Sequence, residues 1–207
     1  MKYAYEFIGT FFLVFTVGMV VIEPAAPLGF APLAIGSVLA LMVFAGGHIS
    51  GGHYNPAVSL AVFLRGKSTA NDLLLYWVVQ LVGGVVAAFL VLFLKGFPAV
   101  TPFTPDVFRA LVAEFVFTFA LCFVVLNVAT ARGTEGNSYY GWAIGMTVLV
   151  GAYAVGTVSG GAFNPAVAFG ASLMGLFNWT NIWIYLVAEL AAGAAAAYIF
   201  KAAHPGE

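Results

Sequence analysis

The sequence predicts an all-α membrane protein: six spanning helices and two re-entrant half-helices, built as an inverted repeat. Three observations predict it. The 207 residues are 63% hydrophobic and only 7% charged, with a mean hydropathy of +1.04, whereas a soluble domain is about 25% charged. Apolar runs long enough to cross a bilayer, about 20 residues each, recur six times. Finally, the phrase "SGGHYNPAV" (Ser50–Val58) returns as "SGGAFNPAV" (Ser159–Val167), 109 residues later.

The same composition excludes several functions. A net charge of -1 without a basic run offers nothing to nucleic acid. Cys122, the single cysteine, sits inside an apolar run and has no partner in the chain, so it reads as a packed residue. No Ser-His-Asp, Cys-His or metal-ligand spacing occurs, so neither an enzyme nor a metal or other cofactor is expected. One domain should cover residues 1–207, its two repeats meeting near residue 100.

In order, the spans are read near 3–22, 31–47, 72–95, 107–129, 140–157 and 181–201. The first has the look of a signal peptide behind Lys2, but Glu6 interrupts it and no small-x-small cleavage site follows. Two apolar stretches, 55–64 and 164–174, are too short to span and fit half-helices. Tyr3, Tyr5, Tyr76, Trp77, Tyr139, Tyr140, Trp142, Trp179 and Trp183 fall near helix ends and read as interfacial belts. With the N-terminus inside, one side collects Lys2, Arg65, Lys67, Arg132 and Lys201, the other Lys95 and Arg109. That bias places both termini in the cytoplasm, with the cell membrane as the expected location.

The repeat extends beyond the shared phrase. Gly36 and Gly145 are also 109 apart, Glu6 and Glu114 are 108 apart, and "YWVVQLVGG" matches "YLVAELAAG". Each unit holds three spans and one half-helix. Three is odd, so the second unit enters from the opposite side and the halves are inverted. Asn55-Pro56-Ala57 and Asn164-Pro165-Ala166 then start two half-helices that meet mid-membrane. Proline suits a first helical turn and asparagine a cap. Two converging N-termini concentrate roughly half a positive charge each. Irregular backbone at that depth must be buried in protein or line a wet cavity. The repeated phrase therefore predicts a pore with a positive, donor-lined waist.

Two Asn-Pro-Ala motifs on such a repeat resemble the aquaporins, the major intrinsic proteins. The resemblance covers nearly the whole chain and implies an aquaporin-like bundle, a homotetramer with one pore per subunit, and passive flow of water or small neutral solutes across the lipid bilayer. It implies that Asn55 and Asn164 donate hydrogen bonds to permeating molecules. Glu6 and Glu114 match the family's glutamates that hold the re-entrant loops; for Glu6, snorkelling to the interface is the alternative. The family's narrow outer ring falls, by matched count, on Ile35, Ala152, Gly161 and Val167. Val167 stands where water channels commonly carry arginine, and Ala168 where glycerol facilitators carry aspartate. The ring should thus be wide and apolar, passing water and small uncharged solutes. The alternative is a poorly conducting structural protein of the same fold.

Three residues carry two readings each. His48 and His53 form either a pH-sensitive mouth or loop histidines bonded to nearby carbonyls. Glu189 matches Gln80 at the 109 spacing and lies mid-helix in the last span. It is either structural or part of an unusual site. Gly83, Gly84, Gly193 and the alanines 194–197 fit close helix crossings.

Overall fold

The computed structural model describes residues 1–207, the Leu28 side chain apart. Eight α-helices follow in order: α1 (Lys2–Val21), α2 (Ala31–Ser50), α3 (Pro56–Arg65), α4 (Ala70–Leu94), α5 (Val107–Ala129), α6 (Tyr140–Ser159), α7 (Pro165–Leu173) and α8 (Ile182–Ala203). All but α3 and α7 are long and apolar enough to cross a membrane. The two short helices, of 10 and 9 residues, reach about 15 Å each. That is half of a hydrocarbon core of about 30 Å.

Local chemistry sets the helix ends. α2 and α6 both stop at a left-handed glycine, Gly51 at φ 90° and Gly160 at φ 97°, a conformation that other residues adopt only with strain. Thr69 caps α4 by accepting from Asp72 N, and Asp106 caps α5 by accepting from Arg109 N. Arg65 ends α3, where a cation complements the helix dipole. It is buried, 3.1 Å from the Glu207 carboxylate and stacked on the Phe200 ring.

The helices interlock across the two halves. α1 packs on α4 and α5 on α8, while α2 crosses α6. Each half-helix leans on the last long helix of the other half, α3 on α8 and α7 on α4. Small residues allow this approach, since packing rather than hydrophobicity draws helices together in lipid. A Cβ on Gly193 would lie 2.5 Å from the Ala57 carbonyl, and one on Gly84 would lie 3.1 Å from that of Ala166. Phe89, Phe93 and Phe108 point outward, as a lipid-facing surface requires.

Two of the expected belt aromatics turn their polar atoms inward to the protein. Tyr76 is buried and its hydroxyl donates to Ser50 O at 2.6 Å; Trp77 Nε1 donates to Pro56 O at 2.9 Å. Both support the first re-entrant loop. A ring with one polar atom suits an unpaired loop carbonyl as well as it suits a headgroup. Tyr139, Trp142, Trp179 and Trp183 are exposed.

Candidate functional site

The site begins with two asparagines at the N-caps of α3 and α7. Asn55 Oδ1 accepts from Ala57 N at 2.8 Å, and Asn164 Oδ1 accepts from Ala166 N at 2.9 Å. The amide nitrogens reach across the molecule. Asn55 Nδ2 donates to Phe163 O and Asn164 Nδ2 to Tyr54 O, both at 2.8 Å. Each half-helix is thus tied to the loop of the other, nose to nose. An amide nitrogen has two hydrogens, and this exchange uses one.

The exchange depends on a bent backbone. Tyr54 and Phe163, just before the asparagines, take φ of 49° and 50°. For residues with bulky side chains this left-handed turn costs roughly 1–2 kcal/mol, and such strain persists only when its surroundings hold it. The holders are Glu6 and Glu114, both fully buried. Glu6 accepts from His53 N at 3.0 Å and Tyr54 N at 2.7 Å. Glu114 accepts from Ala162 N at 3.1 Å and Phe163 N at 2.7 Å. Glu6 does not snorkel: burying its carboxylate is tolerable because Ser50 Oγ and Gln80 Nε2 also donate to it.

Two cavities approach the asparagine pair from opposite faces. One, of about 710 Å³, opens at the face of the chain termini beside Lys2, Lys67, Asp72 and Arg132. The other, of about 650 Å³, opens at the far face and is lined by both asparagines. Ile35, Ala152, Gly161 and Val167 all line this second cavity. Its wall there carries no charge and no side-chain donor from those four residues. His53 and Val125 line both cavities, so the two spaces abut at these side chains.

His53 matters more than its sequence position suggests. Its ring is not bonded to a carbonyl: Nδ1 lies 3.1 Å from Ser59 Oγ. With the Ser59 hydroxyl turned to donate to Asn55 O, Nδ1 carries the hydrogen and Nε2 is the acceptor left over. Burial pushes the imidazole below its ordinary pKa, against a smaller upward pull from Glu6. The ring is therefore neutral at pH 7. His48 is exposed and lines only the cavity at the termini face. Glu189 is fully buried and lines neither cavity. Sequence spacing did not reveal His53 at the neck, because its counterpart at that spacing is Ala162. Among the described residues, no group of three His, Cys, Asp or Glu is placed to hold a metal.

Six spanning helices around two re-entrant half-helices, capped nose to nose between two cavities, define a channel-type integral membrane protein that crosses the bilayer several times. The family model for the major intrinsic proteins matches residues 1–200. The chain is 38% identical over 188 residues to "Aquaporin TIP1-1" of Zea mays, covering 86% of this chain and 73% of that protein. It is 35% identical over 206 residues to "Aquaporin NIP1-1" of Oryza sativa subsp. japonica, covering 95% and 72%. The fold matches the X-ray structure of the aquaglyceroporin from Plasmodium falciparum, with a TM-score of 0.82 at 21% identity over 96% of this chain and 94% of that one. The chain belongs to the major intrinsic protein family.

Proposed function

We propose that this protein is a passive channel for water and small uncharged solutes, with Asn55 and Asn164 as donors at its waist and Ile35, Ala152, Gly161 and Val167 as its outer ring. The observation that carries the reading is the pair of asparagine amides lining a cavity whose outer wall is apolar. A permeating molecule receives the second N–H of each amide, while the converging helix N-termini repel cations. At the ring, selectivity follows from diameter and lining donors. Without an arginine, water gains little there, and larger neutral solutes bring apolar surface that suits the wall. Kinship with aquaporins favours conduction over a purely structural role, and over catalysis. The reading includes one channel domain of two inverted repeats, near 1–100 and 101–207, a homotetramer, and both termini in the cytoplasm beneath the cell membrane.

The test is stopped-flow light scattering on proteoliposomes, with water and a panel of urea-sized and polyol-sized solutes. Val167→Arg adds a guanidinium with five N–H donors to the ring. The folded variant should lose passage of the larger solutes more than passage of water. An unchanged ratio in a variant of normal melting temperature removes Val167 from the ring and the wide-filter reading with it.

A further inference from the structure

The two halves hold their loop glutamates differently, and the difference isolates one carboxyl. In the first half Gln80 Nε2 donates to Glu6 Oε2 at 2.9 Å. The residue 109 positions on is Glu189, on the helix packed against α5. Glu189 lies beside Glu114, within hydrogen-bonding reach of it. It is fully buried, and neither of its oxygens accepts from any N–H or O–H among the described residues. The Asn164 N–H faces it without reaching bonding geometry.

Two buried carboxylates in contact do not both ionise, because their repulsion adds to the loss of hydration. Among the described residues, no cation is placed to offset them. Besides Glu114, α5 brings the Cys122 thiol near it, and α8 itself brings Tyr185; the remaining titratable groups of these two helices, Arg109, Tyr198 and Lys201, are exposed toward the helix ends. The one charged group of α3 is Arg65, at its far end and engaged with Glu207. From α7 come no titratable side chains. Glu114 already receives two backbone N–H bonds, which favour its anion. The proton therefore belongs to Glu189.

We infer that Glu189 is a neutral carboxylic acid that donates its O–H to Glu114, taking the place of the Gln80 amide, and so acts as a positioning residue for the second re-entrant loop. Deprotonation at alkaline pH turns this donor into a second anion facing Glu114. The loop that sets Asn164 then loosens, while the first loop, held by an amide that does not titrate, stays in place. The permeability consequence rests on the channel reading above; the protonation state does not.

Infrared spectroscopy of the full-length protein in lipid tests the proton directly. At neutral pH the wild type should show the carbonyl stretch of one protonated, solvent-shielded carboxyl, and E189Q should lose it. Absence of the band in the wild type, or its persistence in E189Q, overturns the assignment. Water permeability of proteoliposomes should fall reversibly at alkaline pH in the wild type and stay flat in E189Q, whose amide restores a permanent donor. Identical pH profiles for the two overturn the positioning role. E189L, which has no donor, should lose melting temperature that E189Q retains; equal losses also overturn it. A protein that conducts nothing at any pH sinks the channel reading instead, and leaves the infrared band to decide the proton.

Discussion

Both re-entrant loops have the same backbone and nearly the same cross-loop bonds, yet their support differs. Behind the first loop, Glu6 accepts four hydrogen bonds, from Ser50, His53, Tyr54 and Gln80. Ser59 joins that network by accepting from Gln80 at 3.0 Å and contacting His53. Behind the second loop, Glu114 accepts two backbone N–H bonds, and the counterparts of His53 and Ser59 are Ala162 and Ala168. Thr10 donates back to Glu6 O at 2.8 Å, whereas the Thr118 hydroxyl has no partner among the described residues. What is shared is backbone geometry: the tyrosines Tyr76 and Tyr185 each donate to the serine carbonyl ahead of their loop at 2.6 Å. The lesson is that the repeat preserves what shapes the loop and lets the side chains behind it diverge.

The sharpest way to break this comparison is to remove each glutamate. Glu6→Ala strands two backbone donors, a hydroxyl and an amide, and Glu114→Ala strands two backbone donors and the Glu189 O–H inferred above. At about 1–3 kcal/mol for each buried group left unpaired, both variants should be strongly destabilised, and Glu6→Ala more so. Equal melting temperatures for the two would mean that the extra bonds to Glu6 contribute nothing.

Next come the asparagines. Asn55→Asp and Asn164→Asp each replace a donor by an acceptor and set a negative charge on a helix N-terminus. Both should lower water permeability and weaken cation exclusion. Asn164→Asp should be the worse, because its backbone already faces the Glu114–Glu189 pair. Unchanged permeability in both, at equal expression, would count against a waist made by these amides.

A smaller contrast lies in the helix contacts. An added methyl meets backbone in both Gly193→Ala and Gly84→Ala, at 2.5 Å and 3.1 Å respectively. Overpacking of this kind costs typically 1–3 kcal/mol. Gly193→Ala should approach the upper figure and Gly84→Ala the lower, read as loss of melting temperature. The reverse order would show that α7 fits α4 more tightly than α3 fits α8.

The smallest effect is the pH dependence that His53 brings to the first half alone. Its pKa is lowered in the folded state, so the unfolded chain binds the proton first. Stability is therefore full above the ordinary histidine value of about 6.5. It declines as the pH falls below that value, and stops declining once the buried ring is itself protonated. A tenfold difference in proton affinity between the folded and unfolded chain is worth about 1.4 kcal/mol. His53→Ala, which copies the second half, should flatten the melting temperature between neutral and mildly acid pH relative to the parent. A parallel decline in both would assign the dependence to other groups.

Much of this was legible along the chain because it depends on near neighbours. Apolar runs dictate spanning helices, since lipid leaves backbone groups no other partner. Asn-Pro at 55–56 and 164–165 dictates a capped helix start, because the cap closes over two residues. The 109-residue spacing pointed to two matched halves, and the near-equal spacing of 108 paired Glu6 with Glu114. Tertiary structure alone decided the rest. Asn55 and Phe163 exchange a bond over 108 residues, and no local pattern announces which carbonyl an amide will find. Tyr76 and Trp77 turned their polar atoms to the loop, since a polar ring atom follows the nearest unpaired partner. His53 came to the neck between two cavities only when a loop of the first half met α5 of the second, and Glu189 to the side of Glu114 only when α5 and α8 packed together. Burial and contact with a like group govern a carboxyl or an imidazole, and both are properties of the packed bundle.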